Sequence, residues 1–205
     1  YKLTKKIKVI YDCRDYLAVS YSFNFLSTQI IRLFDNLATY FSDLVIVPDS
    51  YGYKYFNLCK DTKIQVVPNT VVDTKARKKT GNGRVKLAYL GYLSLDRNIK
   101  RIFRFAEQNT DIEIHIACNY IPKKLKDTIP NLKNIIFHGR LPHEEAQRLL
   151  SEMDYCLLMY NPMLGNYQHI QPTKFYDCLA LGLPYICSKG MINLEKHINN
   201  STENI

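Results

Sequence analysis

Short apolar runs alternate with longer stretches of helical periodicity along almost the whole chain. The apolar runs are rich in Val, Ile and Leu, which is typical of strands buried inside a sheet. The predicted strands are residues 7–11, 44–47, 64–67, 85–90, 112–117, 135–138, 155–159 and 183–187. The predicted helices are residues 23–41, 51–59, 99–108, 143–152 and 173–181. Strands that alternate with helices of this length predict an α/β fold with parallel sheets and helices on both faces.

The longest predicted helix has apolar residues at a spacing of three and four. This is the period of an amphipathic helix. The apolar positions are Leu26, Ile30, Leu33, Leu37 and Tyr40. The prediction for residues 23–41 therefore rests on periodicity.

A polar, basic and glycine-containing segment interrupts the alternation at residues 71–84. It has no apolar periodicity, which is typical of a linker, and a basic run of this kind is usually simply solvated. We therefore predict three parts. Residues 1–70 form one α/β unit, which is incomplete, 71–84 the linker, and 85–205 a second α/β unit.

The composition narrows the cellular setting. With 205 residues and 46% hydrophobic content, the chain has room for a folded core of one domain or parts of two. No run approaches the ~20 apolar residues that a membrane span needs. The six cysteines contain no Cys-x-x-Cys pair, which argues against a zinc site and favours free thiols in a reducing cytoplasm. Because the first residue is not Met and no signal peptide is present, we expect the sequence to begin inside a longer protein.

The formal net charge of +9 favours an anionic partner. Nucleotide phosphates, acidic lipid headgroups and nucleic acid all satisfy this condition. Nucleic acid is disfavoured, because the aromatic residues sit mostly inside apolar runs and no recognition motif is present. A peripheral position on an anionic membrane surface stays a hypothesis.

Three predicted strands end in residues suited to a ligand, which binds beyond the carboxyl ends of strands in open α/β sheets. Gly91 follows one strand, and Arg97 comes shortly before a helix, a combination that suits a phosphate. Gly139 follows a second strand and precedes a helix that begins after Pro142. We interpret His138 and His143 as structural, because a single histidine at a strand end is usually so. No set of residues shows metal-ligand spacing.

The third strand end has the densest set of candidate residues. A loop leads through Gln171 and Thr173 to Lys174, and Asp177 follows one helical turn later. Residues three apart share a helix face. Lys174 near a helix N-terminus suits a phosphate, and Asp177 can accept hydrogen bonds from sugar hydroxyls. The alternative is an ordinary Lys–Asp surface pair, but the apolar sequence around it favours a half-buried helix.

The segment PTKFYDCLALGLPYICS resembles the C-terminal signature of family 4 and related retaining glycosyltransferases of the GT-B fold. Four further segments follow the family's order. They are VIYDCRDYLA, IQVVPNTVVD, KLAYLGYLSLDRNIKRI and NIIFHGRLPHEEAQRLLSEMDYCLLMY. The resemblance spans nearly the whole chain and implies two Rossmann-like parallel-sheet domains, the first of them incomplete. Residues 1–70 would be the C-terminal part of the acceptor-side domain, and residues 85–205 the domain that binds the nucleotide-sugar donor, truncated near its end.

The resemblance also implies a reaction. A sugar would move from a nucleotide diphosphate sugar to a hydroxyl of a glycan or lipid-linked acceptor, in the synthesis of a cell-surface polysaccharide such as a capsule. It would proceed without a metal and without a cofactor other than the donor substrate. We expect the isolated chain to be inactive, since most of the first domain is missing from it.

The residue roles implied by the resemblance fall into a donor set and an acceptor set. Asp12 and Asp15 would lie near the acceptor, at the cleft between the domains, where either could act as a base. In the donor set, Lys174 would bind phosphate and Asp177 would hold the ribose in place of the family's Glu. The other donor-binding candidates are Gly91 and Arg97 near the diphosphate, Gly139, Arg140 and Leu141 near the base, and His169, Gln171 and Thr173.

The sequence departs from the family pattern at several positions. His169 replaces the first of two carboxylates that the family often has, Tyr92 replaces a loop Arg, Arg97 replaces a loop Lys, and Thr70 replaces a Gly. These departures keep a non-catalytic GT-B module or partner subunit open as an alternative. A sugar epimerase of the same fold is a further possibility.

Overall fold

A computed structural model describes residues 7–20, 23–56, 63–70, 83–126, 129–164 and 167–202. The chain divides into two compact units. The first contains Tyr1–Asn69 and Pro162–Gln171, and the second contains Thr70–Asn161 and Pro172–Ile205. Most of the predicted linker, residues 71–82, lies outside the described residues.

The first unit is built on a three-stranded parallel sheet. Its strands are β1 (Ile10–Asp12), β2 (Leu44–Val47) and β3 (Lys63–Val66), in the order β1-β2-β3. Its helices are α1 (Leu17–Ser20), α2 (Phe25–Tyr40) and α3 (Tyr51–Tyr55). The core contains buried side chains from β2 and from the segments that follow β1 and α3, namely Cys13, Tyr16, Val45, Val47 and Phe56.

Helix α2 buries polar side chains instead of its apolar stripe. Its buried residues are Asp35 and Thr39, and the Asp35 carboxylate accepts hydrogen bonds from the hydroxyls of Tyr11, at 2.9 Å, and of Tyr55. The five apolar residues that predict the helix are 43–76% exposed. The helix begins after Asn24, whose side-chain oxygen accepts a hydrogen bond from the Ser27 amide at 2.8 Å.

The second unit is built on a five-stranded parallel sheet. Its strands are β4 (Lys86–Leu90), β5 (Glu113–Ala117), β6 (Ile135–Gly139), β7 (Tyr155–Leu158) and β8 (Tyr185–Cys187). Its helices are α4 (Ile99–Gln108), α5 (Lys123–Lys126), α6 (His143–Ser151), α7 (Thr173–Leu181) and α8 (Ile192–Thr202), with a 3-10 turn at Leu95–Arg97.

One apolar cluster of the second unit lies between α4 and the sheet. Ile99, Ile102, Phe103 and Ala106 recur at helical spacing on α4, and all four are buried against alternate residues of the strands. Burial of a large apolar side chain contributes about 1.5–3 kcal/mol. This face therefore fixes α4, and with it the turn that precedes the helix.

The strand order of the second sheet is β6-β5-β4-β7-β8. The chain first adds strands on one side of β4 and then on the other, so the direction of winding reverses between β4 and β7. In open α/β sheets the crevice at such a reversal, beyond the carboxyl ends of the strands, is the ligand site. The topology therefore predicts a ligand site at the residues that follow β4 and β7.

All the predicted strands and helices are present, although most boundaries shift by one to three residues. Short apolar runs do not mark where pairing begins, so the first strand starts three residues later than predicted. Helices α1, α5 and α8 were not predicted. Residues 57–59 of the predicted helix 51–59 lie outside the described residues. Among the residues described, no helix combines the length and apolar character needed to cross a membrane. Five of the six cysteines lie in the described part of the chain, and these five are free thiols.

Candidate functional site

Gly91 opens the loop at the carboxyl end of β4. Its φ of +143° lies in a region that favours glycine, and its amide donates a hydrogen bond to the Ala117 carbonyl at 3.0 Å. A Cβ atom at this position would lie 2.7 Å from Nη1 of Arg97. The absence of a side chain therefore leaves room for the Arg97 guanidinium.

Arg97 is oriented by the residue that follows it. Asn98 adopts a left-handed conformation with φ of +52°, and its side-chain amide donates to the Tyr160 carbonyl at 2.8 Å and to Ser188 Oγ at 3.2 Å. These bonds tie the 3-10 turn to the ends of β7 and β8. The Arg97 guanidinium carbon lies 5.0 Å from the centre of the Tyr160 ring, a cation–π distance.

A narrow cleft lies between the ends of β4 and β7. Its polar lining consists of Tyr89, Arg97, Tyr160 and Lys174, and its apolar lining consists of Leu90, Leu157, Leu158 and Met159. Burial raises the pKa of Tyr89, although the charge and hydrogen bond of Arg97 act to lower it. The Tyr89 hydroxyl donates to the Tyr92 carbonyl at 2.7 Å. Arg97 and Lys174 bring positive charge to this cleft, which favours an anionic ligand, although Lys174 is also ion-paired with Asp177.

Lys174 and Asp177 form an ion pair on α7. Lys174 Nζ lies 2.7 Å from Asp177 Oδ2, and the two side chains are 25% and 1% exposed. The second carboxylate oxygen, Asp177 Oδ1, is buried and has no hydrogen-bond partner among the described residues. A buried acceptor without a partner is costly, so this oxygen is suited to a donor from a ligand.

Packing holds α7 in place. Phe175, Cys178 and Leu181 are buried on one face of the helix. The helix begins after Pro172 and stops at Gly182, whose φ is +59°. Lys174 is thereby held in the first turn, where the backbone amides carry partial positive charge. Thr173, the first residue of the helix, is exposed.

The three residues predicted to approach the base lie at the end of β6. Gly139 closes this strand with φ of +68°, and no atom lies within 4 Å of the position that a Cβ would take. Arg140 is exposed and Leu141 is half-buried. β6 is two strands away from β4, so these residues occupy the same carboxyl edge of the sheet at a distance from the cleft.

His169 and Gln171 belong to the segment grouped with the first unit. The His169 ring stacks on Tyr51, with ring centres 5.1 Å apart and planes 17° apart. Tyr51 in turn donates its amide to Asp49 Oδ1 at 2.9 Å. Burial raises the pKa of Asp49, and the hydrogen bonds to its carboxylate and the charge of His169 oppose that shift.

The two predicted acceptor-side carboxylates follow β1. Arg14 Nε lies 3.1 Å from Asp12 Oδ2 in an exposed ion pair. The Asp15 carbonyl accepts a hydrogen bond from the Leu17 amide at 3.1 Å, at the start of α1. Their assignment as acceptor-side residues stays a prediction.

The site therefore joins Gly91, Arg97, Lys174 and Asp177 within the second unit. Sequence reasoning missed the residues that support them, Tyr89, Asn98, Tyr160 and Ser188. Only Asn98, an asparagine directly before a helix, carries a recognisable local signal. Within the described part of the chain, no group of three or more His, Cys, Asp or Glu residues could hold a metal ion.

No protein-family model matches this sequence, and neither does any curated protein. Solved structures do match. The structure of TarM has a TM-score of 0.63 and 12% sequence identity, over 89% of this chain and 36% of that chain. A mutant of S. aureus TarM in complex with fondaparinux, alpha-GlcNAc-glycerol and UDP has a TM-score of 0.59 and 11% identity, over 82% of this chain and 34% of that chain.

These likenesses show the fold. The chain has the α/β fold of the GT-B glycosyltransferases, with two Rossmann-like parallel sheets. It spans about a third of the TarM chains that it matches. Membership of family 4, which the signature segment implies, stays a prediction.

Proposed function

We propose that the chain is part of a glycosyltransferase that uses a nucleotide diphosphate sugar as donor. The single observation that carries this proposal is the Lys174–Asp177 pair, in which one buried carboxylate oxygen receives no hydrogen bond from the residues that the structure describes. A ribose hydroxyl supplies such a donor, and the neighbouring ammonium supplies a partner for phosphate. One turn of helix thus provides both halves of a nucleotide contact.

The cations of the cleft would stabilise the leaving group. As the bond between the sugar and the diphosphate breaks, negative charge grows on the phosphate oxygens. Arg97 and Lys174 are held in place before the reaction by the Asn98 hydrogen bonds and by Asp177, so little reorganisation is needed. Because these two side chains supply positive charge, we propose a reaction that is independent of a metal ion. Retention of configuration belongs to the same proposal and rests on the signature segment.

The printed contents of one TarM complex support a donor and acceptor of this kind. That complex contains UDP and alpha-GlcNAc-glycerol. For the present chain we propose a glycan or lipid-linked acceptor in the synthesis of a cell-surface polysaccharide such as a capsule. Asp12 and Asp15 are the proposed acceptor-side groups. The +9 charge supports a cytoplasmic enzyme located peripherally on an anionic membrane face.

A non-catalytic GT-B module is the second candidate, and His169 is the observation that favours it. This residue stands where the family often has a carboxylate, and its ring is stacked on Tyr51 in the first unit. A module of this kind would keep the fold without transferring sugar.

The transfer reaction separates the two candidates. The full-length protein would be incubated with UDP-, GDP-, ADP- and dTDP-sugars and with a lipid-linked glycan acceptor, and the products analysed by mass spectrometry. A product heavier than the acceptor by one sugar supports the transferase. Donor binding without any product favours the module. The absence of any donor binding also favours the module, and it contradicts both the site and the proposed transferase.

A further inference from the structure

Helix α2 exposes a continuous apolar face. Asp35 and Thr39, on the opposite side of the helix, are buried, and the Asp35 carboxylate is bonded to Tyr11 and Tyr55. The side of α2 that packs within the first unit is therefore the polar one. Six large apolar side chains on the other side are 43–76% exposed, and we call them the apolar face of α2: Leu26, Ile30, Leu33, Phe34, Leu37 and Tyr40.

Five residues of the apolar face follow the spacing of a contact between two helices. From Leu26 to Tyr40 the steps are four, three, four and three residues. This is the alternation of positions a and d in a heptad, with Ile30 and Leu37 at a and the other three at d. Side chains at a and d pack between those of a facing helix, and a β-branched residue at a with Leu at d favours a pair of helices. The spacing therefore indicates that the face packs against one other helix.

The apolar face is large enough for a stable interface. Phe34 and Tyr40 are 65% and 76% exposed. Because an aromatic side chain has about 150–250 Å² of surface to bury, these two alone leave roughly 200–350 Å² in water. With the four aliphatic side chains, the face is of the order of the ~800 Å² that each partner contributes to a standard interface. Contiguous apolar patches of this size mark interaction sites.

The charges on α2 distinguish between possible partners. The charged residues of this helix, which the structure describes completely, are Arg32, which lies beside the face at position c, and Asp35, which is buried. An acidic or basic partner would therefore find little complementary charge, and helices that lie on membranes usually have several Lys and Arg residues. The polar residues at positions e and g are uncharged, so a second copy of α2 brings no like charges together there: Ser27, Gln29 and Asn36.

We propose that two copies of the protein associate through the apolar face of α2, which packs against the same face of the second copy across a two-fold axis. A two-fold interface uses the same patch on both copies, so the patch must be complementary to itself. Leu33 is the middle one of the five heptad residues, so it meets its counterpart whether the two helices run parallel or antiparallel. This association goes beyond the proposed function, because it does not depend on what the cleft binds.

Sedimentation of the full-length protein over a wide range of concentration tests the association. Leu33→Glu places a carboxylate in the middle of the face, where two copies would bring two like charges together. Because Leu33 is 58% exposed, the substitution should leave the first unit folded, which circular dichroism checks. The matched control is Tyr53→Glu, since Tyr53 is 53% exposed on α3 of the same unit and lies outside the face.

A cysteine variant gives a second measurement that needs no added charge. With copper phenanthroline as the oxidant, Leu33→Cys should form a disulfide-linked dimer. Tyr53→Cys has the same native cysteines and should not do so. The disulfide requires the two Cα atoms to lie within about 7 Å of each other, which only residues close to the symmetry axis achieve. If Leu33→Glu fails to fold, this cross-link decides the question.

We expect wild type and Tyr53→Glu to sediment as dimers, and Leu33→Glu to dissociate at least about tenfold more readily. An assembly that a folded Leu33→Glu leaves intact overturns the inference, as does a Leu33→Cys that cross-links no more than Tyr53→Cys. A monomeric wild type also overturns it. Loss of folding in Leu33→Glu would then assign the face to another part of the same protein, and wild-type binding to phosphatidylglycerol vesicles that Leu33→Glu lacks would assign it to a membrane. All these outcomes leave the proposed function standing.

Discussion

Lys174 Nζ lies 2.7 Å from one carboxylate oxygen of Asp177, while the other oxygen is buried and has no hydrogen-bond partner among the described residues. A carboxylate that is 1% exposed would normally have both oxygens satisfied. Here the ion pair satisfies only Oδ2 of the Asp177 carboxylate. The remaining acceptor lies one helical turn beyond the first residue of α7, on the edge of the sheet where nucleotides bind in this fold class.

The ion pair predicts unequal effects on stability. Lys174→Met leaves the Asp177 charge buried without a partner, so the free energy of unfolding should fall by about 2 kcal/mol or more. Asp177→Asn leaves Lys174, which is partly exposed and can turn to water, so the loss should be smaller. Urea unfolding of both variants measures this, with the exposed Lys196→Met on α8 as control. Equal losses in the two variants would mean that the pair is not held as described.

A substitution at Gly91 tests whether the position of Arg97 matters for nucleotide binding. In Gly91→Ala the added Cβ would meet the guanidinium at 2.7 Å, and the φ of +143° disfavours a side chain. We expect Arg97 to move and the affinity for a nucleoside diphosphate to fall about tenfold, comparable with the loss of a charged hydrogen bond. Calorimetry measures the affinity, and Gly83→Ala is the control because a Cβ there has open space. Unchanged affinity in Gly91→Ala would remove Arg97 from the phosphate site.

The contacts of Asp35 lead to a stability prediction for the first unit. Its carboxylate accepts from the hydroxyls of Tyr11 and Tyr55, and burial together with these bonds raises the pKa of both tyrosines. Asp35→Ala leaves two hydroxyls without acceptors and should lower the free energy of unfolding by about 2 kcal/mol. Gln29→Ala, on the exposed side of the same helix, should change it little. Thermal or urea unfolding that shows no difference between these variants would contradict the described packing of α2.

Acid should destabilise the second unit through His115. Because burial lowers the pKa of His115 below its ordinary value of 6.5, the unfolded chain takes up a proton there before the native protein does. The unfolded state then binds more protons, so this contribution to stability is full above pH 6.5 and falls as the pH drops below it. Urea unfolding at several pH values measures the loss. His115→Gln should flatten the dependence and His143→Gln should not, and a flat wild-type profile would contradict the buried, neutral His115.

The fold could be predicted from the sequence because the determining signals are local. Buried strands of a parallel sheet are short apolar runs, and helix α7 has both a periodic face and a glycine stop at Gly182. The Lys174–Asp177 pair is equally local, since three residues of helix place both side chains on one face.

The support of Arg97 could not be predicted, because it depends on pairs far apart in the chain. Asn98 bonds to residues 62 and 90 positions away. Strand β6 has a β-bulge at His138, because Ile116 pairs with Phe137 but Ala117 pairs with Gly139. A bulge depends on how two strands pair, so neither strand's sequence alone predicts it. In helix α2 the periodicity correctly predicts the helix but not its buried face. The side that contains Asp35 is buried, and the apolar side is exposed.

The central claim is that Asp177 and Lys174 hold a nucleotide diphosphate sugar, and donor binding tests it most directly. Calorimetry on the full-length protein would compare wild type with Asp177→Asn, which keeps the shape of the side chain but removes its charge. The control is Asp111→Asn, in an exposed turn of the same unit. The account predicts that one donor sugar binds wild type and the control alike and binds Asp177→Asn at least about tenfold more weakly. Equal affinity in all three proteins would contradict it.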